Sequence, residues 1–419
     1  MVTSVISAGD AANLGVQTTG GNDGVLVLRS GAAGAKVDAL SIAASGTATF
    51  VGEVAGVSAI NSGQIGGRRN ILYNGEMKVA QRSASETGLG AAVGYFTLDR
   101  WNINVAGTAG RFTMAQVADG PPGFANCLKI STTTADTSVA AGELLLLEQK
   151  LEGQDLQQLK KGTASAEQFT ISFWVKGNAA ALYVCEIFDV DNTRSITQSF
   201  AVTTSWNRIE LTFAADTSDP LDDDNAFSLG IVFWLHAGSN LTSGTFAVNT
   251  WNDAVTANRV AVDGFTSILD STSRTFFITG VQMEIGATAT EFESRTFGDE
   301  LALCQRYYEK SYEYAVALGT VTYVGMHTVG GSAAGPTGTS FISGNFAVYT
   351  QRKRASATLV FYDQGGNVGK AMRWLLGSHN TNNQNITNAG SSERGFFSYS
   401  SGTSSSSGIH VHFSADAEL

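Results

Sequence analysis

Between residues 170 and 286 apolar and polar side chains alternate with a period of two, the signature of strands that bury one face. In 170–176, Ile171, Phe173 and Val175 fall on one side and Ser172, Trp174 and Lys176 on the other. In 207–214, Ile209, Leu211 and Phe213 oppose Arg208, Glu210 and Thr212. The stretch 228–236 sets Leu229, Ile231, Phe233 and Leu235 against Val232, Trp234 and His236. The stretch 274–286 reads the same way through Phe277, Thr279, Val281, Met283 and Ile285. Short strands at regular spacing with no helical stretch between them predict an antiparallel sandwich of the jelly-roll kind.

Upstream, residues 1–66 are built from Ala, Gly, Ser and Thr, with Phe50 as the single aromatic. Apolar runs at 25–28, 37–42 and 47–51 are each followed by turn residues, so short strands are expected there. Such small side chains make a thin core, which several copies wound about a common axis would thicken. Downstream, Leu301, Cys304, Tyr308 and Tyr312 lie at i, i+3, i+7 and i+11, predicting a helix over 299–314. Asp299 and Glu300 at its start and Lys310 at its end suit the helix dipole. Strands return at 320–324, 345–350, 358–362, 395–400 and 409–413, with a polar loop over 377–392. The expected division is therefore a β-rich shaft (1–66), a jelly roll (67–297), a linking helix (298–316) and a distal β-sandwich (317–419).

At 419 residues the chain exceeds one ordinary domain. Only 15% of residues are charged, against the roughly 25% of an average soluble protein. The formal net charge of -11 with no basic cluster argues against nucleic acid as a partner. Hydrophobic residues at 43% exclude disorder for most of the length. Cys127, Cys185 and Cys304 are too widely spaced for a zinc site and odd in number, so they read as buried free thiols. The N-terminus carries no secretory signal pattern, and the longest apolar run, 229–235, is far short of a membrane span.

The sequence holds no G-x-S-x-G, H-E-x-x-H, Walker or dinucleotide motif. Carboxylates cluster at Asp189–Asp191 and at Asp222, Asp223 and Asp224. Such groups serve as an acid–base pair for glycoside hydrolysis, as oxygen ligands for calcium, or simply as solvated turns. Trp174, Trp206, Trp234, Trp251 and Trp374 offer flat rings for the C–H faces of sugars, or else core packing. Trp374 with His379, Asn380, Asn382 and Asn383, and with Tyr399 and Trp251, makes the candidate glycan-binding set. His410 and His412 lie two apart in a strand and so share a face. Three copies meeting on an axis would bring six imidazoles around a transition metal; in a monomer they are surface histidines.

Several strings resemble those of tail fibres and receptor-binding proteins of tailed bacteriophages, marine and cyanobacterial ones in particular. They are Asn70-Ile71-Leu72-Tyr73-Asn74-Gly75-Glu76-Met77 with Gln81-Arg82, Leu98-Asp99-Arg100-Trp101 and Ser172-Phe173-Trp174-Val175-Lys176. Further along come Gly280-Val281-Gln282-Met283-Glu284-Ile285-Gly286, Ala289-Thr290-Glu291-Phe292-Glu293 and Glu300–Glu309, and the chain closes on Phe413–Leu419. The resemblance implies an all-β, carbohydrate-binding-module-like jelly roll with a distal tip, in a homotrimer. It implies a non-enzymatic protein of the virion, assembled in the host cytoplasm, that adsorbs to host surface polysaccharide or lipopolysaccharide. Partners would be host glycan and other tail proteins or a fibre adaptor; residues 1–66 match no virion-anchoring domain, so either a separate adaptor attaches them or only the distal part of the fibre is present. No cofactor is required on this reading; calcium or an axial transition metal would be additions. The rival is a tailspike-like depolymerase, which calls for a long repeated β-helix; a bacterial adhesin would need an export signal.

Overall fold

The computed structural model describes residues 68–329, 331–333, 340–343, 346–375, 378–399, 401–402 and 408–419, and six short strands between 17 and 64. Two compact units are found, Met1–Ile60 and Asn61–Leu419. In the first, β1 (Gln17–Gly20), β2 (Leu26–Ser30), β3 (Val37–Ile42) and β4 (Ala48–Phe50) form an antiparallel meander in sequence order. The runs predicted at 25–28, 37–42 and 47–51 correspond to β2, β3 and β4.

The second unit is all-β and antiparallel. Its strands are β5 (Ser85–Leu89), β6 (Asn102–Ala106), β7 (Arg111–Val117), β8 (Cys127–Thr134), β9 (Leu144–Glu152) and β10 (Phe169–Gly177). There follow β11 (Ala181–Asp189), β12 (Arg194–Val202), β13 (Asn207–Phe213), β14 (Phe227–Ala237), β15 (Asn252–Asp253) and β16 (Thr275–Ile285). One six-stranded sheet runs β13-β10-β16-β8-β7-β5 and the other β15-β12-β11-β14-β9-β6. Their inner faces close a single core through Ile171, Phe173, Leu211, Phe213, Ile231 and Phe233. The ring centroids of Phe173 and Phe233 meet edge-on at 5.0 Å across the two sheets. The alternation read for 170–176, 207–214 and 228–236 therefore identifies the inward faces.

The alternation read for 274–286 holds only in its second half. Ser172 pairs with Gln282, but Trp174 pairs with Thr279, so β16 carries one residue more than β10 between those points. Gly280 takes φ +62° at the bulge, a conformation glycine adopts freely. Parity switches there: Phe276 and Ile278 enter the core before it, Val281 and Met283 after it.

The predicted helix over 299–314 is shorter than its apolar stripe. Helix α1 (Phe297–Gln305) starts at the cap Thr296, whose side chain accepts from the Asp299 amide, and stops where Tyr307 and Tyr308 must be buried in opposite directions. Tyr307 lies under the Arg100 guanidinium at 3.4 Å from its ring centroid, and Tyr308 under Arg82 at 3.7 Å. Adjacent residues of a strand point to opposite sides, whereas in a helix they diverge by about 100°; the chain continues as β17 (Tyr308–Lys310).

The C-terminal sheet is organised on β22 (Gly408–Asp416), which pairs with β17, β18 (His327–Val329), β19 (Thr358–Tyr362) and β20 (Lys370–Leu375). Phe361, Phe396, Ile409, Val411 and Phe413 form its core. Two expectations change here. Residues 320–324 form irregular chain and not a strand, with Val321, Tyr323 and Val324 exposed. The polar stretch 377–392 is largely strand, β21 (Ser378–Asn385) and Thr387–Ser391. Backbone pairing needs no apolar side chain, and Asn and Gln suit β21 because it is the sheet's edge.

Several of the strings that carry the phage resemblance meet where the sandwich joins this sheet. The Asn74 amide donates to Glu300 at 2.6 Å, and its side chain donates to the carbonyls of Val79 and Asp99. Trp101 Nε1 donates to the Asn74 carbonyl at 3.1 Å, and Gln81 Nε2 to that of Tyr308 at 2.8 Å. Glu418 receives Arg82 at 3.3 Å and pairs with Arg100. Burial, opposed by Arg82, pushes the neighbouring Asp99 carboxyl up to about 6.

Candidate functional site

Trp174 stands on the outer face of β10, opposite the core residue Phe173. The Gly280 bulge lies beside it, and the missing side chain matters. A Cβ at position 280 would sit 2.7 Å from the Phe124 ring and 3.1 Å from Trp174 Cδ1. The backbone thus retreats under two rings and leaves a cleft of about 250 Å3. Phe124 reaches it from the turn after Pro121 and Pro122, its amide donating to the Pro121 carbonyl at 2.9 Å. Phe292 closes the other side, edge-on to Phe124 at a centroid distance of 5.2 Å. Arg208, Glu291 and Ser294 supply the polar rim.

The same sheet face continues past Trp174 to a charged aromatic ledge. Trp206 and Phe277 meet at 6.3 Å, and Lys176 Nζ lies 5.0 Å and 4.9 Å from their respective ring centroids. Lys176 is itself held by Asp119 at 2.8 Å. Flat rings flanked by donors and acceptors suit a ligand with apolar C–H faces and equatorial hydroxyls.

Of the tryptophans read from the sequence, Trp174 and Trp206 lie on this face, but the candidate glycan-binding set does not gather here. Trp251 is half-buried against the core, donates through Nε1 to the Ala214 carbonyl at 2.8 Å and faces Lys161. The side chains of Trp374, His379, Asn380 and Tyr399 lie outside the described residues. Asn382 donates to Gln364 at 3.1 Å, and the Asn383 amide donates to Asp363 at 2.6 Å, so both serve a local turn. Trp234 is fully buried, donating to Glu186 at 2.7 Å beneath Arg259.

His412 departs from the shared outward face expected of it. It is buried, stacked on Tyr312 at 3.7 Å, with Nδ1 facing the Ser311 hydroxyl at 3.1 Å and Nε2 donating to the Thr322 carbonyl at 3.2 Å. Both nitrogens are engaged inside the chain, so the ring has none left for an axial metal; burial holds its pKa below the ordinary value. His410 is half-buried and meets the Thr328 hydroxyl at 3.1 Å. Asp222, Asp223 and Asp224 are exposed: Asp222 donates its amide to Asp191 at 3.0 Å, and Asp224 accepts from the Ala226 amide at 2.8 Å. These three carboxylates thus lie in an exposed turn. Asp136, Glu143 and His236 do cluster, but His236 is bonded to Glu143 at 3.1 Å and to Ser267 at 2.7 Å. Asp136 is bonded to Thr108, whose hydroxyl holds its carboxyl below the usual range. The cysteines are free and buried, as read.

No protein-family model matches the sequence, and no curated protein matches it. Among solved structures, the family 11 carbohydrate-binding module of a cellulosomal cellulase of Clostridium thermocellum is similar over 48% of this chain and 99% of its own, at 17% identity and a TM-score of 0.25. The enzymatically active domain of tailspike protein 4 of bacteriophage CBA120 is similar over 52% of this chain and 21% of its own, at 13% identity and a TM-score of 0.28. A xylan-binding domain from Paenibacillus barcinonensis covers 44% of this chain and 91% of its own, at 17% identity and a TM-score of 0.23. At such scores these likenesses carry no weight for function.

Sequence reasoning missed Phe124, Phe292, Arg208 and Gly280. The available signal was Gly280 itself, since a lone glycine in an alternating strand marks a bulge or a close approach.

Proposed function

We propose that this chain is a glycan-binding protein and, more narrowly, the receptor-binding subunit of a phage tail fibre that holds host surface polysaccharide without cleaving it. The observation that carries the reading is the open cleft of Trp174, Phe124 and Phe292 over Gly280, with Arg208, Glu291 and Ser294 at its rim. Glycoside hydrolysis ordinarily uses two facing carboxyl groups; Glu291 is the lone carboxylate lining this cleft, which supports binding over catalysis. The phage assignment is supported by the ordered strings from Asn70 to Leu419. A shallow site of this kind binds weakly by itself. Repetition in a homotrimer, carried on the virion with other tail proteins, raises avidity without new contacts.

The test is a glycan array and host-cell adsorption with the full chain and its Trp174→Ala variant. Wild-type binding that falls at least tenfold in the variant is the expected result. Wild-type protein that retains no glycan and adsorbs to no cell sinks the reading. Light scattering is expected to give three copies, and reducing-end release from bound polysaccharide would replace binding with catalysis.

A further inference from the structure

Past the Trp174 cleft, the outer sheet face carries three side chains in one cross-strand row. Lys129 of β8 pairs with Phe277 of β16, and Phe277 pairs with Lys176 of β10. Neighbouring strands lie about 4.8 Å apart, so one lysine stands on each flank of the phenylalanine. All three point outward, because Leu128, Ile130, Val175, Phe276 and Ile278 beside them enter the core. Lys129 Nζ lies 5.2 Å from the Phe277 ring centroid and Lys176 Nζ 4.9 Å. Packing along the ring steadies both stems and leaves their charged ends toward water.

The two ends of this face differ in charge. Lys176 donates to both oxygens of Asp119, at 2.9 and 2.8 Å, and an ammonium has three N–H groups to give. Lys129 has no ion-pair partner among the described residues. Two ammonium groups against one carboxylate leave the ledge with a positive charge in excess. At the cleft end Arg208 is taken up by Glu210 at 2.9 Å and by the Thr290 carbonyl. Glu291 is exposed there and has no basic partner among the described residues. Its carboxylate accepts from hydroxyl groups and turns an acidic group away.

A neutral sugar therefore fits the cleft and an acidic one the ledge. Trp174 and Lys176 stand two apart on one face of β10, about 7 Å along the strand, a step that adjoining sugars of one chain can span. We propose that this face binds an acidic polysaccharide, seating a neutral sugar on Trp174 and the carboxylate of the adjoining hexuronate against Lys129 and Lys176. This rests on reading the Trp174 cleft as a glycan site and adds the charge and the direction of the bound chain. The net charge of -11 opposes any polyanion at long range. Salt screens such repulsion beyond about 8 Å at physiological strength, so the groups within hydrogen-bond reach decide.

The experiment measures affinities of the full chain at physiological salt. The probes are hyaluronan, chondroitin and heparosan oligosaccharides, in which hexuronate alternates with a neutral N-acetylhexosamine. Each is paired with its carboxyl-reduced counterpart, and neutral gluco-, manno- and galacto-oligosaccharides are run beside them. Expected is an acidic oligosaccharide that binds roughly tenfold tighter than its reduced counterpart, as charge-assisted hydrogen bonds at the ledge would give. Lys129→Gln with Lys176→Gln should bring that ratio to about threefold or less while leaving the reduced form's affinity unchanged. Trp174→Ala should weaken both forms alike, by the same tenfold or more expected of it above. Carboxyl reduction that leaves affinity equal or raises it, or binding confined to the neutral oligosaccharides, overturns the acidic ligand and leaves the glycan reading intact. A ratio that stays near tenfold without the two lysines overturns the ledge as the carboxylate site. Absence of saccharide binding by the wild-type chain overturns both readings.

Discussion

Phe173-Trp174 and Phe233-Trp234 are the same dipeptide on two sheets that face each other. Both phenylalanines enter the shared core, so both tryptophans point outward, one from each sheet. Their surroundings then differ. Over Trp234 the chain lays Leu241, Phe246, Val260 and Phe265, making a second apolar layer with Leu146, Val184 and Val232. Trp234 is sealed in and its indole nitrogen is spent on Glu186. Over Trp174 the neighbouring strand bulges at a residue without a side chain, and the ring lines an open cleft. Which face of a sandwich is available for recognition is decided by what crosses over it, since the strands themselves read alike.

The widest separation between the two is expected on truncation. Trp234→Ala should cost about 3–5 kcal/mol, the usual figure for a buried aromatic, whereas Trp174→Ala should cost about 1 kcal/mol or less and act on binding instead. Denaturant unfolding of both variants checks this, and equal losses would dissolve the contrast. Next in size is Glu186→Gln, which leaves Arg259 without its charge partner. Arg259 keeps a fifth of its surface in water, so roughly 2 kcal/mol is expected, below the 3–5 kcal/mol of a fully buried pair; calorimetry reads it.

A smaller effect is expected for Gly280→Ala. The positive φ and the approach to Phe124 together should cost roughly 1–2 kcal/mol while closing the cleft, so glycan binding should fall much further than stability does. Retained binding would mean that the bulge does not shape the site. The smallest is a pH effect on the covered side. Asp136 has its carboxyl held below the ordinary range chiefly by the Thr108 hydroxyl. A lowered folded pKa contributes stability above the unfolded value, and that stability is lost as pH falls through the folded one. Thr108→Val should therefore bring the acid-induced loss of exchange protection around Asp136 to a higher pH, with the β10–β16 ladder unchanged.

Much of this contrast lay open in the sequence, and its decisive part did not. Period-two alternation identified the inward faces of β10, β13 and β14, because one buried face is all that such a pattern encodes. It failed at β16, where one extra residue at Gly280 flips parity. It failed again at Tyr308, whose place on a helical stripe was outweighed by the separate pockets waiting for Tyr307 and Tyr308. The polar run 377–392 read as a loop because backbone pairing leaves no mark on side-chain polarity at a sheet edge. Trp174 stood out only as one tryptophan among several. Its partners Phe124 and Phe292 are 168 positions apart in the chain, and no local pattern links them. The ordered strings from Asn70 to Leu419 were recognisable as a set. Several of them tie the sandwich to the C-terminal sheet, through contacts such as Asn74 with Glu300 and Arg82 with Glu418.

That last contact also sets a timetable for synthesis. A ribosome delivers the strands of the sandwich long before residues 416–418, yet Arg82 and Arg100 are buried beside the place those residues will occupy. Until they emerge, the nascent sandwich holds two guanidinium groups whose carboxylate partners are not yet made, and burying unmatched charge is strongly unfavourable. Closure of the sandwich at this edge is therefore expected to wait for residues 416–418. Loss of Glu418 would consequently register first as a delay in maturation and only afterwards as a lower melting temperature.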